Sequence, residues 1–294
     1  MINISQSVQS VPSHSLKKTF FHEMGESVEE LSKAKNSYED LENETGDGIE
    51  ETEQILDLRS HLIKPDYFDG IEIIHPKHEK IEGAPNFRQL TGFPIFGTGQ
   101  PTREGMVKII QHIKKEKENM KIIWFSMRQE PVVYVNGSPY APRNPNNPHK
   151  NILTPDLDDG KAKLVRKNLA SIVRERVNKE DQTIKIHVDR EFAENPLDRI
   201  DIEESIVVES VNDLDAVFEL CSMENKVQLQ VIHIPVVEDE MPTASCFDSI
   251  ISGLKEELAS TPCVFSCQMG KGRTTVGMLV ASLVKEIQIT TELR

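Results

Sequence analysis

The stretch VFSCQMGKGRTT, from Val264 to Thr275, is the most informative part of this sequence. A short apolar run, typical of a buried strand, ends at Cys267. Arg273 follows six residues later, and the residues from Thr274 onward have the apolar pattern of a helix. The stretch therefore predicts a strand, a tight loop and a helix, with a thiol at the start of the loop.

The loop from Cys267 to Arg273, called the Cys267 loop below, is suited to hold a phosphate group. Its backbone N–H groups can turn inward together if its glycines adopt conformations that other residues avoid. The following helix points its positive end at the same place, and an arginine can hold two phosphate oxygens at once. We therefore expect these loop residues to bind a substrate phosphate: Gln268, Met269, Gly270, Lys271 and Gly272.

The same positive surroundings favour the thiolate form of Cys267, which is a strong nucleophile. Thr274 is placed to donate a hydrogen bond to the sulfur or to assist its release in a second step. A buried cysteine before a glycine turn is the alternative, but it leaves Lys271 and Arg273 unexplained in an apolar setting. The Walker pattern Gly-x4-Gly-Lys-Ser/Thr is not present.

Lys271 places a second cation in the loop. Two cations favour a substrate with more than one phosphate, such as an inositol polyphosphate or a phosphoinositide headgroup, over a phosphotyrosine side chain. A lysine that points to solvent is the alternative.

The chemistry also requires an acid that protonates the leaving group. The stretch IPVVEDEMP, from Ile234 to Pro242, ends a predicted strand and offers Glu238, Asp239 and Glu240. For each of them, a solvated acidic loop is the alternative.

The composition limits the partners and the location of the protein. The net charge of -14 argues against nucleic acid as the main partner, but it permits a small anionic ligand in a locally positive pocket. The four cysteines show neither zinc-ligand spacing nor a disulfide framework. We therefore expect a cytoplasmic protein without a metal or other cofactor. A lipid substrate would bring it to a membrane surface, although no lipidation motif is present.

Two regions differ in composition. Residues 1–60 are acidic and poor in aromatic residues, which predicts a disordered tail that is a candidate for binding a basic protein partner. From residue 61 onward, predicted strands and helices alternate, which is typical of an α/β fold with a central, mostly parallel sheet.

The predicted elements follow from the apolar periodicity. The predicted helices span residues 102–116, 161–178, 211–223, 247–259 and 274–287. The predicted strands span residues 121–127, 183–188, 227–236 and 263–266, and Asn136-Gly137 predicts a hairpin. In the second helix we expect Leu164, Leu169, Ile172 and Val173 to face inward. The last helix is apolar on most faces, so we expect it in the interior.

Several motifs resemble those of cysteine-dependent phosphatases of the protein-tyrosine-phosphatase superfamily, in which Cys-x5-Arg is the signature, and more narrowly those of tyrosine-phosphatase-like phytases. Besides the Cys267 loop, these motifs are APNFRQL, PIFGTGQPT, WFSMRQEPVVYVNGSPYAPR and IPVVEDEMP, and together they cover about residues 83–283. The resemblance implies a layered cysteine-phosphatase fold over residues 61–294. It also implies further helices and a second repeat, so we expect the domain to be truncated after the helix that follows the loop.

Carried over residue by residue, the resemblance implies that Cys267 is the nucleophile and Arg273 the phosphate clamp. Glu238 stands four residues before Pro242, where the family has its acid, and Asp239 is one step away.

Arg128 matches an arginine that lines the pocket or braces the loop. A buried ion pair with Glu130 or another acid is the alternative, and Arg88 has a similar status.

One departure from the superfamily pattern leaves the function open. Ser266 precedes the cysteine where the superfamily has a histidine. The sequence therefore predicts a phosphatase of inositol phosphates or phosphoinositides and leaves two alternatives. One is an inactive phosphate-binding scaffold in signalling. The other is a protein-tyrosine or dual-specificity phosphatase.

Overall fold

The described part of the chain alternates strands and helices. The computed structural model describes residues 58–67, 80–115, 119–152, 159–191, 199–238 and 240–292, all within the unit Leu56–Arg294. The predicted acidic tail, apart from residues 58–60, and the candidate acid Asp239 lie outside these residues.

Five α-helices and eleven strands are present in the described ranges. The helices in chain order are α1 (Arg103–Lys114), α2 (Asp159–Lys179), α3 (Leu214–Asn225), α4 (Ala244–Leu254) and α5 (Gly272–Glu292). The strands in chain order are β1 (Leu62–Pro65), β2 (Arg88–Gln89), β3 (Ile95–Thr98), β4 (Lys121–Ser126), β5 (Val133–Val135), β6 (Ser138–Arg143), β7 (Thr183–Glu191), β8 (Arg199–Val207), β9 (Val211–Asp213), β10 (Gln228–His233) and β11 (Cys263–Ser266).

The central sheet has the strand order β10-β4-β11-β3-β2. Its four longer strands are parallel, and the short strand β2 runs antiparallel at one edge. The predicted mostly parallel sheet flanked by helices is therefore confirmed. Strand β11 lies between β4 and β3, so Cys267 follows the carboxyl end of an inner strand, where open α/β sheets bind their ligands.

Both faces of the central sheet are covered by helices. Ile122 and Trp124 of β4 pack on one face in a core shared with α1 and α3. Ile123 and Phe125 pack on the other face in a core shared with α4 and α5. Burial on both faces explains why β4 is an almost continuous apolar run rather than an alternating one.

A smaller, antiparallel sheet of order β1-β6-β5-β9 packs against α2. Strands β5 and β6 form the hairpin that Asn136-Gly137 predicts, and both residues have positive φ angles, 51° and 77°. Strands β7 and β8 form a separate antiparallel ribbon. We did not predict β8 from the sequence, because the adjacent acids Glu203 and Glu204 interrupt its apolar alternation.

Two predicted burial patterns are wrong in part, although Leu169 and Val173 of α2 are fully buried as predicted. In α2, Leu164 is 55% exposed, because the buried stripe runs through Val165, Leu169 and Val173 and Leu164 lies about 100° away from Val165 around the helix.

Helix α5 is not buried on most faces. Met278 and Ala281 pack on the sheet, but Leu279, Leu283 and Ile287 are 56%, 58% and 51% exposed. Their spacing of four residues places them in one stripe along the helix. Apolar periodicity alone does not reveal which side of such a helix is covered. None of the helices in the described ranges is long and apolar enough to cross a membrane.

Candidate active site

The candidate site lies at the carboxyl edge of the central sheet. The segments that follow β3, β4, β10 and β11 carry Gln100, Arg128, Glu238 and Cys267, respectively. These residues are distant in sequence, and the parallel arrangement of their strands brings them to one edge. The fold therefore gathers three residues that the sequence predicts separately, the candidate nucleophile Cys267, the candidate acid Glu238 and Arg128, and adds Gln100, which the sequence did not predict.

Four successive carbonyl groups of the Cys267 loop are held by donors outside the loop. The Gln268 carbonyl accepts from Gln100 N at 2.8 Å, Met269 from Asn86 Nδ2 at 2.7 Å, Gly270 from Arg88 Nη1 at 2.7 Å, and Lys271 from Thr275 N at 2.9 Å. In a trans peptide, the N–H group points opposite to the carbonyl of the same unit. The N–H groups from Met269 to Gly272 therefore point to the inner side of the loop.

These inner N–H groups form a preformed anion nest. Among the described residues, none accepts a hydrogen bond from the backbone N–H groups of Met269 to Gly272. The N-terminus of α5 lies at the same point and adds its positive dipole end. The geometry is suited to bind an anion such as a phosphate group.

Of the two glycines in the Cys267 loop, Gly270 and Gly272, only the first adopts a backbone conformation that other residues avoid. Gly270 has a φ of +74°, and an added Cβ would overlap the backbone of Thr98 and Gly99. Gly272 has no positive φ, and an added Cβ would meet none of the described atoms within 4 Å. The expectation for Gly270 is therefore confirmed, and the same expectation for Gly272 is wrong.

Cys267 is 3% exposed and lies at the base of this loop. Thr274 Oγ1 lies 3.0 Å from Cys267 Sγ and 3.2 Å from the Thr98 carbonyl, so its hydroxyl can donate to the sulfur. Burial raises the pKa of Cys263 to about 12 and that of Cys221 to about 11, so both remain thiols at neutral pH.

The Arg273 side chain is held in place through one of its own nitrogens, Nη1. Its Nη1 donates to both Glu130 carboxylate oxygens, at 2.8 and 2.9 Å, and to the Val236 carbonyl at 2.7 Å. All of its bonds to described residues use Nη1, which leaves Nε and Nη2 for an anion. Glu130 also accepts from the backbone N–H of Glu238 at 3.1 Å. One buried carboxylate thus fixes both Arg273 and the segment of the candidate acid Glu238.

The Glu238 carboxylate is connected to the loop through one amide. Asn151 Nδ2 donates to Glu238 Oε2 and, at 2.7 Å, to Gln268 Oε1. The structure therefore brings the candidate acid to the residue beside Cys267.

The Arg128 side chain lies in a buried ion pair, which is the alternative that the sequence left open. Its Nη1 donates to Asp66 Oδ2 at 2.5 Å, and Asp66 Oδ1 accepts from Gln268 Nε2 at 2.7 Å. Arg128 and the Gln268 side chain therefore brace the loop from below. Because the Gln268 side chain is bound to Asp66, the backbone N–H groups of the loop, and not this side chain, are placed to contact an anion.

Arg88 donates hydrogen bonds to the Cys267 loop and to the start of α5. It donates to Thr275 Oγ1 at 2.9 Å as well as to the Gly270 carbonyl. Burial lowers the pKa of Arg88, and the charge of Cys267 partly offsets this. Arg88 is therefore a bracing residue of the Cys267 loop.

Ser266, the departure from the superfamily pattern, is buried and accepts a hydrogen bond from Trp124 Nε1 at 2.8 Å. Lys271 is partly exposed, and its ammonium group makes no hydrogen bond to a described residue. The substrate role of Lys271 stays a prediction.

A cavity of about 770 Å³ opens beside the loop, lined in part by Glu130, Asn151 and Glu238. Its size is in the range of small-molecule sites, roughly 300–1,000 Å³. The same three residues contact either the loop or one another.

Sequence reasoning missed several bracing residues. Asn86 stands inside a motif that carries the family resemblance, so its position could have drawn attention to it, whereas Glu130 was predicted only as a partner of Arg128 and not of Arg273. Asp66 and Asn151 carry no such signal, because their contacts join segments 202 and 117 residues apart.

The fold and the loop define a class of protein. The sequence profile of the PTP-like phytase family, described by the words inositol hexakisphosphate, matches residues 125–285, which is more than half of the chain. The chain therefore belongs to the PTP-like phytase family.

Within the curated proteins, the chain is similar to paladin, which the sequence motifs also resemble, and the matches confirm that resemblance. It is 28% identical to paladin of Mus musculus over 219 residues, covering 69% of this chain and 25% of that protein. It is 28% identical to paladin of Gallus gallus over 247 residues, covering 77% of this chain and 28% of that protein. The chain spans about a quarter of the length of these relatives.

Among solved structures, the chain is similar to the PTP-like myo-inositol phosphatase from Mitsuokella multacida in complex with myo-inositol-(1,3,4,5)-tetrakisphosphate. The TM-score is 0.50 at 15% identity, covering 77% of this chain and 37% of that chain. A similarity at this level of identity shows a shared fold.

Proposed function

We propose that this protein is a cysteine-dependent phosphatase that hydrolyses phosphate monoesters of inositol phosphates or phosphoinositides through a phosphocysteine intermediate. The observation that carries the proposal is the anion nest, formed by the inward N–H groups that follow Cys267 and by two nitrogens of Arg273 that make no bond to a described residue. The family description and the inositol phosphate bound by the Mitsuokella protein support this substrate class.

In the first step, the Cys267 thiolate attacks the phosphorus atom. The S–P bond forms and the ester P–O bond breaks, while Glu238 gives its proton to the leaving oxygen. The loop N–H groups and Arg273 bind the non-bridging oxygens, where negative charge is concentrated in the transition state.

In the second step, a water molecule gives a proton to the Glu238 carboxylate and attacks the phosphorus atom. The S–P bond breaks, its electron pair returns to sulfur and inorganic phosphate leaves. The Thr274 hydroxyl, 3.0 Å from Sγ, stabilises the thiolate as it departs.

A phosphate-binding scaffold without turnover is the second candidate. Ser266 favours it, because its hydroxyl is bound to the Trp124 indole and a serine supplies no positive charge beside the nucleophile. The anion nest serves this function equally well.

The test is phosphate release from soluble inositol phosphates, phosphoinositide vesicles and phosphotyrosine peptides. The unmodified protein is expected to act best on the inositol substrates, and Cys267→Ser to lose at least about a thousandfold in rate. Cys246→Ser, at a second buried cysteine outside the loop, is the matched control and should retain turnover. Equal rates for Cys267→Ser and the unmodified protein would overturn the proposal. Retained binding of vanadate without turnover would favour the scaffold.

A further inference from the structure

The residue that follows β1, Asp66, is a buried carboxylate for which the proposed reaction has no use. It is fully buried, and its backbone N–H donates to the Pro139 carbonyl at 2.9 Å, which extends the pairing of β1 with β6. Asp66 lies outside residues 125–285, which match the family profile, and before the motifs that begin near residue 83. The family match therefore assigns it no function.

Both oxygens of Asp66 act as hydrogen-bond acceptors. Arg128 Nη1 donates to Oδ2 at 2.5 Å, and Arg143 Nη2 donates to Oδ1 at 2.9 Å. Gln268 Nε2 donates to Oδ1 as well, at 2.7 Å. Because guanidinium nitrogens only donate, they require acceptors on both carboxylate oxygens. The Gln268 amide must therefore turn its NH2 group, and not its oxygen, toward Asp66.

The amides of Gln268 and Asn151, called the amide pair below, bond to each other in both directions. Gln268 Nε2 donates to Asn151 Oδ1 at 3.1 Å, and Asn151 Nδ2 donates to Gln268 Oε1 at 2.7 Å. Reversal of one amide alone would bring the two oxygens together and the two NH2 groups together. The two amides can therefore reverse only as a pair, and Asp66 fixes the direction of both.

The direction of the amide pair decides which group of Asn151 meets Glu238. In the observed direction, Asn151 Nδ2 donates to Glu238 Oε2. A neutral carboxyl group and a carboxylate both accept such a bond, so it holds the candidate acid before and after it gives up its proton. The reversed amide would present Oδ1, which only the protonated form of Glu238 could bond.

We infer that Asp66 is a positioning residue, which holds Glu238 in place by fixing the direction of the hydrogen bonds in the amide pair. This inference deepens the proposed function and rests on it for the role of Glu238 as the acid. It makes the end of β1 a part of the candidate active site, although 202 residues separate Asp66 from Gln268.

The first variant is Asp66→Asn, whose amide offers both an acceptor and a donor and therefore no longer fixes the direction of the amide pair. The measured quantity is the ratio of kcat for inositol monophosphate to kcat for p-nitrophenyl phosphate. An alkyl leaving group needs the proton of Glu238, whereas p-nitrophenolate departs without it, so this ratio is expected to fall at least about fivefold. A role limited to stability would lower both rates equally, and an unchanged ratio would overturn the inference.

A double variant tests whether Asp66 acts through the amide pair. Asn151→Ala breaks the connection to Glu238, so Asp66→Asn added to it is expected to lower the ratio no further. An additional loss as large as that of Asp66→Asn alone would show that Asp66 acts by another route and would overturn the inference. The matched control is Asp189→Asn, which removes a carboxylate 2.6 Å from Lys64 Nζ of β1 and should keep the unmodified ratio.

Gln268→Met is a second variant, because Asp66→Asn leaves two buried arginines with a weaker partner and can impair folding. This substitution breaks the amide pair while both arginines keep their carboxylate. Its ratio is expected to fall as in Asp66→Asn. An unchanged ratio in Gln268→Met would overturn the inference even where Asp66→Asn does not fold.

A spectroscopic measurement separates the inference from the success of the proposed function. The side-chain amide of Asn151 gives a pair of resonances in a nitrogen–proton NMR spectrum, identified by their absence in Asn151→Ala. Asp66→Asn is expected to shift this pair, and Asp189→Asn is expected to leave it in place. Unchanged resonances in Asp66→Asn would overturn the inference even if the protein is a phosphatase, and shifted ones would support it even if the protein is a scaffold.

Discussion

The Asn151 amide joins two parts of the candidate active site that the chain encodes far apart. Its Nδ2 donates both to the Glu238 carboxylate and to the Gln268 side chain, and Gln268 is the residue next to the nucleophile. This pair of bonds holds the carboxylate of the candidate acid beside the loop. Asn151 is therefore a positioning residue for the acid.

Substitution of Asn151 by alanine should slow turnover of a substrate whose leaving group needs a proton more than turnover of one whose leaving group does not. We expect kcat for an alkyl phosphate such as inositol monophosphate to fall at least about tenfold, because general acid catalysis contributes about 10²–10⁴-fold. The loss for p-nitrophenyl phosphate should be smaller, since its leaving group departs without protonation. Steady-state kinetics on both substrates measure the difference.

The control for this variant is Asn146→Ala, on the same segment but not lining the cavity. Equal losses on both substrates in Asn151→Ala would contradict a positioning role.

Residues whose roles depend on local sequence could be predicted, and the others could not. Cys267, Arg273 and Thr274 lie within one loop, so their spacing alone indicates their arrangement. Asp66 and Asn151 contact the loop only through the packing of segments that are 202 and 117 residues apart from it in sequence. No local pattern carries that information.

At the scale of elements, helix α5 presents two different apolar faces. Met278 is 5% exposed and packs on the central sheet, whereas Leu283 is 58% exposed. The sequence indicates a helix here, but hydrophobicity on most sides did not indicate which face is covered. In contrast, the helix predicted over residues 102–116 is found as α1, where the Thr102 side chain accepts from Gly105 N at the start.

Alanine substitution should distinguish the two faces. Met278→Ala is expected to lower the free energy of unfolding by about 2–5 kcal/mol, because it leaves a cavity in the core. Leu283→Ala should change it by less than about 1 kcal/mol, as exposed positions usually do. Urea denaturation measures both, and a large loss for Leu283→Ala would show that the outer stripe is covered in solution.

At the scale of the whole described fold, a charged cluster connects α2, which packs on the small sheet, with α3 and β10 of the central layer. Asp215 of α3 accepts from His233 of β10 at 2.7 Å and from Arg166 of α2 at 3.3 Å. Burial opposes ionisation of Asp215, but the bond from His233 and the charge of Arg166 outweigh it. Together they hold the pKa of Asp215 well below its ordinary value.

A lowered pKa makes stability depend on pH in a defined direction. The ionised Asp215 stabilises the fold above its unfolded pKa of about 4, and this contribution is lost as the pH falls toward the lower folded pKa. Asp215→Asn should therefore cost about 2 kcal/mol at pH 7, with the difference from the unmodified protein shrinking below about pH 4. Urea denaturation over this pH range measures it.

Glu219→Gln, at an exposed carboxylate of the same helix, is the control and should show neither effect. A constant difference between Asp215→Asn and the unmodified protein at all pH values would contradict this assignment.

The class of fold was predictable at this scale, and the arrangement of the layers was not. Alternating strands and helices predict the mostly parallel sheet, which the order β10-β4-β11-β3 confirms. The packing of the small sheet, and with it the cavity between the loop and His149, depends on contacts such as Asp66 with Arg128 and Arg143. Buried ion pairs of this kind are not marked by periodicity.

The most direct test of the central claim is to trap the phosphocysteine on Cys267. The protein is mixed with an inositol phosphate, quenched in acid and digested, and the peptide that contains Cys267 is examined by mass spectrometry. We expect a phosphoryl group on Cys267, with more of it in Thr274→Ala, where loss of the hydroxyl bond slows breakdown of the intermediate. Phosphate release by Cys267→Ser at the unmodified rate, with no label on Cys267 in Thr274→Ala, would contradict the account.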